Sequence, residues 1–181
     1  MILLYLFGIV VVWFFIIGLV YLLSPRLSPI PYFPSDWKDL HLITKSLLAE
    51  AKEEIIDLGA GTGTVLFPTA LEAHKKRRKI RFLGVEINPM LAGIMLVKSW
   101  FHPHRAQIRI LRKDMFKMEP WKSPTTIYLY VGNLEDAKIG QMLSRFPKGT
   151  RVVSYMYKIA GWEGKLTKTV KGHHDIYIYR I

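Results

Sequence analysis

The residues with the clearest capacity for chemistry are an acid followed by alternating glycines, Asp57-Leu58-Gly59-Ala60-Gly61-Thr62-Gly63. Glycine accepts positive φ and carries no side chain to hold a ligand away, so this spacing lets the backbone turn tightly against a bound molecule. Glu54–Leu58 reads as a short apolar strand ending in the acid. Val65–His74 reads as a helix, with Pro68 in its first turn, where a missing N–H costs little. The helix presents unpaired N–H groups at its start, so strand, glycine turn and helix in that order point to a nucleotide-like ligand. A dinucleotide fingerprint needs glycine at 64, where the chain has Thr64. A P-loop needs Gly-Lys-Ser/Thr, where the chain has Gly63-Thr64-Val65.

Two further acids fall where such a ligand needs them. The strand predicted over Ile80–Glu86 ends in a carboxylate about 20 to 25 residues past the glycines, the position at which doubly wound folds place the acceptor for ribose hydroxyls. Glu86 is the ribose-binding candidate, and Ile87 beside it joins the cofactor-contacting set. Asn88-Pro89 caps and opens the next helix. A third strand, Gln107–Leu111, leads to Asp114-Met115, an acid able to accept from an adenine amino group beside an apolar side chain able to pack on the ring; a plain turn aspartate is the alternative.

The elements that position these residues fit one domain plus an appendage. The 181 residues suffice for a single hydrophobic core, and the absence of cysteine excludes disulfides, thiolate zinc sites and a cysteine nucleophile. Ile2–Leu23 is a run of roughly 22 apolar residues, about 33 Å as a helix, which is enough to cross a bilayer. No charge precedes it and no small-residue cleavage site follows, so it reads as an uncleaved transmembrane anchor rather than a signal peptide. Tyr5, Trp13 and Tyr21 are candidate membrane contacts. The nearest positive charges, Arg26 and Lys38, follow the run, which places residues 24 onward in the cytoplasm. Prolines 25, 29, 31 and 34 make residues 24–36 an extended juxtamembrane linker. Ser35 and Asp36 then look like the cap of an amphipathic helix reaching Leu48, and residues 37–181 form the folded domain. The net charge of +12 lies wholly after residue 23 and attracts anions, whether nucleic acid, lipid headgroups or acidic protein surfaces.

The set Asp57 to Gly63, Glu86 and Asp114 resembles motif I, the following acid and the adenine-side acid of class I methyltransferases. The resemblance implies S-adenosyl-L-methionine as cofactor and a Rossmann-like seven-stranded α/β sheet. Strand signals at Thr126–Val131, Thr150–Met156, Leu166–Val170 and Asp175–Ile181 complete that pattern, the last two as an antiparallel terminal hairpin. Pro31-Tyr32-Phe33-Pro34-Ser35, Gly149–Ser154 and Gly161-Trp162 resemble small prokaryotic protein-lysine methyltransferases and the membrane-anchored mitochondrial family formerly called family with sequence similarity 173. That likeness implies a protein substrate and carries Tyr32, Pro34 and Ser35 into the active site. Tyr128-Leu129-Tyr130 matches the family's pattern after the fourth strand, whereas Tyr155 stands where the family leads one to expect His or Asn.

The expected chemistry is in-line transfer of a methyl group to a deprotonated lysine amine, oriented by Tyr32 and Tyr130 and lined by Pro34, Ser35, Tyr128 and Trp162. Both tyrosines also read as core aromatics. A lipid-soluble acceptor such as a quinone, and a noncatalytic module bound to a membrane, stay open as alternatives. Nucleic acid is disfavoured as substrate because Tyr130–Asn133 lacks the [DNS]-P-P-[YF] string of base methyltransferases. Lys75–Lys79 reads as a solvated loop facing anionic lipid. His102-Pro103-His104 and His173-His174 have no further ligand at metal spacing along the chain, so no metal is expected. Composition leaves the oligomeric state open.

Overall fold

A computed structural model of the chain describes residues 5–15, 18, 33–51, 53–119, 121–132 and 136–181. These fall into two compact units, Met1–Tyr32 and Phe33–Ile181. In the first, residues 5–15 are helical and expose large apolar side chains, Tyr5 and Trp13 among them. No helix among the described residues is long and apolar enough to cross a membrane, and the predicted span Ile2–Leu23 lies partly outside those residues.

The second unit is a seven-stranded sheet in the order β3-β2-β1-β4-β5-β7-β6. Its strands are β1 (Glu54–Leu58), β2 (Arg81–Glu86), β3 (Ile108–Arg112), β4 (Thr126–Leu129), β5 (Arg151–Tyr155), β6 (Leu166–Val170) and β7 (Ile176–Arg180). β1 to β5 run parallel, and β7 pairs antiparallel with both β5 and β6, which gives the terminal hairpin. The central strands are buried on both faces and accordingly read as near-continuous apolar runs. The chain reverses direction across the sheet between β1 and β4, so their C-terminal ends flank the crevice where open α/β sheets bind ligands.

Four helices connect or cover the strands: α1 (Leu40–Leu48), α2 (Leu66–Lys75), α3 (Pro89–Trp100) and α4 (Asp136–Leu143). Asn88 caps α3 through Oδ1, which accepts from the N–H groups of Met90 and Leu91, and Pro89 takes the first helical position as expected. A Cβ on Gly84 would lie 2.9 Å from Met95 Sδ and 3.0 Å from Leu66 Cδ2, so this glycine lets α2 and α3 press onto β2. Helix α4 has no counterpart among the sequence expectations and runs unbroken through Gly140.

Two local expectations are corrected. Helix α1 starts at Leu40, not at a Ser35–Asp36 cap, and Asp39 at its N-cap position makes no side-chain cap bond. The Asp39 carboxylate is occupied instead by the N–H groups of His173 and His174 and the hydroxyl of Tyr155. Within the basic run, Arg78 is not a solvated loop residue: its guanidinium donates to the carbonyls of Leu48 and Ala51 at the C-terminal end of α1. Arg151 from β5 donates to Ser46 O of the same helix. Cations at a helix C-terminus satisfy its free carbonyls and its dipole, which fixes α1 against the sheet.

Candidate active site

The glycine turn has the geometry its spacing predicts. Gly59, Gly61 and Gly63 adopt φ of 77°, 57° and 78°. Gly59 N and Ala60 N both donate to Val85 O, at 2.9 and 3.0 Å, which ties the turn to the end of β2. Glu86 completes the tie: Oε2 accepts from Gly61 N and Oε1 from Asn88 N, each at 2.8 Å. The buried carboxylate is thereby fixed in orientation, and each oxygen retains acceptor capacity for a ligand hydroxyl. A Cβ placed on Gly59 meets nothing within 4 Å, so the turn is open there, whereas one on Gly63 would run into the Phe67 ring.

Asp57 lies buried beneath the turn. Burial raises its carboxyl to about 7, the Glu86 charge adds to the rise, and a hydrogen bond from the Leu66 N–H opposes it. A carboxyl so placed is drawn toward its charged form by a cationic ligand. After β3, Asp114 caps a short 3-10 turn through a 3.0 Å bond from Phe116 N, with Met115 buried beside it. Lys113 N donates to Glu86 O, which places the Asp114–Met115 corner next to the ribose candidate, where the half-buried Ile87 also lies. An acceptor for hydroxyls, an acceptor beside an apolar side chain, a buried carboxyl and bare glycine backbone fit a cationic adenosine-bearing cofactor.

Beside this cradle the ends of β4 and β5 build an aromatic shelf. Tyr128 is opposite Asp57 in the β1–β4 register, is buried, and shares a 2.7 Å hydrogen bond with the buried Ser35 hydroxyl. Tyr130 sets its ring edge-on to Tyr155 at 5.0 Å and nearly parallel to Tyr157 at 6.1 Å. Burial pushes the phenols of Tyr128, Tyr130 and Tyr155 up, most strongly for Tyr128 and Tyr155, so all three stay protonated at neutral pH. Tyr155 is anchored in turn: its hydroxyl donates to Asp39 Oδ2 at 2.8 Å and lies 3.1 Å from His174 Nδ1. Burial pushes the Asp39 carboxyl up, but the N–H of His174, the hydroxyl of Tyr155 and the N–H of His173 outweigh it and hold the carboxyl below its ordinary value.

The structure thus brings together Asp57, the glycines, Glu86, Tyr128, Ser35 and Tyr130, with Pro34 exposed next to Ser35. Tyr32 and Asn133 lie outside the described residues. Trp162 goes elsewhere: it packs on Tyr179, which is registered with Val152, whereas Val153 and Tyr155 point to the opposite sheet face. Its indole also stands 3.3 Å from where a Cβ on Gly140 of α4 would be, a packing role and not a place on the shelf. The residues that sequence reasoning missed are Asp39, His174 and Tyr157. Tyr155, read only as a departure, is the joint that holds them. The histidine expectation also changes. His104 is buried and bonded to His74 and Ile80 O, while Asp36 comes to 2.9 Å from His173 Nδ1 and forms with His173 and His174 a group of three metal-capable side chains.

The model of the ANTKMT methyltransferase domain matches residues 57–166. The chain is 23% identical over 155 residues to a protein-lysine N-methyltransferase of Saccharolobus islandicus, covering 84% of this chain and 94% of that protein. It is 26% identical over 147 residues to the adenine nucleotide translocase lysine N-methyltransferase of Mus musculus, covering 77% of this chain and only 58% of the mouse protein's length. Among solved structures, an RNA methyltransferase from Salinibacter ruber with S-adenosyl-L-homocysteine bound superposes with a TM-score of 0.70 at 20% identity, over 82% of this chain and 94% of that one; this likeness shows the fold.

Proposed function

The chain belongs to the ANTKMT methyltransferase domain family, and from that premise we propose that it is an S-adenosyl-L-methionine-dependent methyltransferase that modifies lysine side chains of proteins. The observation that carries the reading is the adjacency of the cofactor cradle and the aromatic shelf, Asp57 facing Tyr128 across neighbouring strands. The names of the archaeal and mouse relatives support lysine as the acceptor. Bound S-adenosyl-L-methionine supplies a sulfonium methyl, which the amine takes in one in-line displacement.

Glu86 and Asp114 would hold the ribose and adenine ends, Met115 and Ile87 would line the ring, and the backbone of Gly59, Ala60, Gly61, Thr62 and Gly63 would hold the rest of the cofactor, with Asp57 as the acid for its cationic end. Burial on the shelf depresses the lysine pKa and frees the neutral amine. Tyr130, protonated and oriented by its two aromatic neighbours, holds the nitrogen by its phenol oxygen, Tyr128 with Ser35 fixes the segment carrying Pro34 over the acceptor, and Tyr32 is proposed as a second group that orients the amine. Orientation and exclusion of water then supply most of the rate enhancement, with no strong base required.

We also propose that Ile2–Leu23 anchors the chain in a membrane, with the folded unit on the cytoplasmic side. The helical, apolar and exposed residues 5–15 support this, as does the position of Arg26 and Lys38 after the run. Carbonate extraction of membranes tests it, and release of the full chain into the supernatant would remove the anchor. The catalytic reading is tested by transfer of labelled methyl from S-adenosyl-L-methionine into separated protein, lipid and nucleic-acid fractions, with Glu86→Gln as control. Hydrolysis to methyllysine, present only with the unaltered chain, is the expected result. Label confined to lipid would reassign the acceptor.

A further inference from the structure

Helix α3 is apolar on two opposite faces. Leu91, Ala92, Met95 and Ser99 are buried against the sheet. Ile94, Leu96, Val97 and Trp100 are exposed, and the helix ends in Phe101, which is 84% exposed, beside Trp100 at 58%. At 100° per residue the exposed set spans an arc opposite the buried one, so it forms one continuous stripe. A helix that is apolar all round is normally covered on all sides, and a contiguous exposed apolar stripe marks a surface that meets something.

The neighbours of this stripe are cationic. His104, after α3, is buried and stands 3.3 Å from His74 near the end of α2, with their rings edge-on at 5.4 Å. His102 is bonded to Phe67 O. These contacts lay the loop after α3 along one flank of α2, from Phe67 in its first turn to His74 near its end, while Lys75 and Lys76 line the groove that another flank of α2 forms with α1. Lys79, which precedes the Ile80 carbonyl bonded to His104, Lys98 on α3 itself and Arg105 on the following turn are the exposed cations of this corner. The aromatic pair rimmed by lysine and arginine has the composition of a bilayer interface, where apolar rings enter the headgroup boundary and basic chains meet anionic lipid.

We infer that this face is a lipid-binding surface of the catalytic unit, in which Val97, Trp100 and Phe101 enter the interface of an anionic bilayer beneath a collar formed by Lys79, Lys98 and Arg105. A lipid-facing α3 does not require that Ile2–Leu23 span the bilayer, and it assigns a function to Lys79 of the basic run and to the His-Pro-His loop, neither of which the active site uses. The loops at this corner lead into β2 and β3, whereas the cofactor turn leaves the C-terminal end of β1. Lys98, beside Val97, reaches back to Thr62 O of that turn at 3.2 Å, so the stripe adjoins the outer side of the cofactor turn.

The chain has no cysteine, so single labels are unambiguous. An environment-sensitive dye is attached to Val97→Cys or Trp100→Cys in the full chain, with Lys168→Cys on the far edge strand as the reference. The chain is then mixed with vesicles of phosphatidylcholine, with or without phosphatidylglycerol. Emission at 97 and 100 is expected to rise severalfold on the anionic vesicles, to be quenched by spin-labelled lipid and to decline with salt, while the label at 168 stays unchanged. Lys79→Gln with Arg105→Gln should reduce the rise severalfold and leave methyl transfer to a soluble substrate unaltered. Labels that remain in water while the chain is vesicle-bound would overturn the inference. So would labels that are buried but untouched by lipid quencher, since a protein segment or a second copy would then cover the stripe.

Discussion

The cofactor cradle and the aromatic shelf adjoin each other and are built in different ways. The cradle is made of backbone: three glycines at positive φ, two N–H groups on Val85 O, and one carboxylate that bridges Gly61 and Asn88. Its parts come from the ends of adjacent parallel strands. The shelf is made of side chains joined over long stretches of sequence, with Ser35 bonded to Tyr128 across 93 residues, Tyr155 to Asp39 across 116 and His173 to Asp36 across 137. A backbone cradle fixes one ligand shape and tolerates little change, whereas a side-chain shelf can be re-lined to take a different acceptor. A fold shared with an RNA methyltransferase and a family whose members carry lysine methylation in their names are compatible on these terms.

The sharpest way to break this contrast is to strike the one side chain on which the cradle depends. Glu86→Gln weakens two charge-assisted bonds to backbone N–H groups as well as the ribose contacts, a loss of about 3 kcal/mol or roughly 100-fold in cofactor affinity. Calorimetric titration should show that loss, with little change in KM for the protein substrate. A loss shared equally between cofactor and acceptor would mean that the two regions are a single unit.

Tyr155→Phe is the counterpart on the shelf. It removes a donor from the buried Asp39 carboxylate and a partner from His174, which should cost about 2 kcal/mol of stability, read as a drop in Tm. Turnover should fall as the ring that Tyr130 meets edge-on loses its tether to Asp39 and His174, and cofactor affinity should hold. Equal melting temperatures would show that the Asp39 network does not hold the shelf.

The same contrast explains what the sequence disclosed. Asp57, the glycines, Glu86 and the Asn88 cap announce themselves because their functions depend on spacing within one strand–turn–helix unit and the strand that follows. Asp39 and His174 carry no such signal: each is an ordinary polar residue until the turn between β6 and β7 lies against the start of α1. Trp162 was grouped with the acceptor by motif, and strand alternation in β5 and β7 sends it to the other face. Arg78 looked like one cation in a run of five, and only the folded chain shows it on the carbonyls of α1.

Asp57 offers a pH test of the cradle. Its folded carboxyl is raised from the ordinary 3.8 to about 7, so the unliganded folded chain holds a proton that the unfolded chain has released. This contribution to stability is present below the ordinary carboxylate range and is lost as pH rises through about 7. A cationic cofactor reverses the preference, because it favours the ionised carboxyl and expels the proton on binding. Affinity should therefore weaken by about tenfold between pH 8 and 6, and Asp57→Asn should flatten the profile. A profile that keeps its slope in that variant would place the titrating group elsewhere.

The smallest expected effect is the most informative about the segment before α1. Ser35→Ala removes one hydrogen bond from the buried Tyr128 hydroxyl, about 1 kcal/mol. If that bond only fills space, stability falls slightly and kinetics do not move. If it seats Pro34 and Ser35 over the acceptor, kcat/KM for the protein substrate should fall severalfold at unchanged cofactor affinity, and Ser35→Thr, which restores a hydroxyl, should recover most of it. The split matters because Ser35 is the described residue that ties the segment before α1 to Tyr128, whereas Asp36 and Asp39 tie it to His173 and Tyr155.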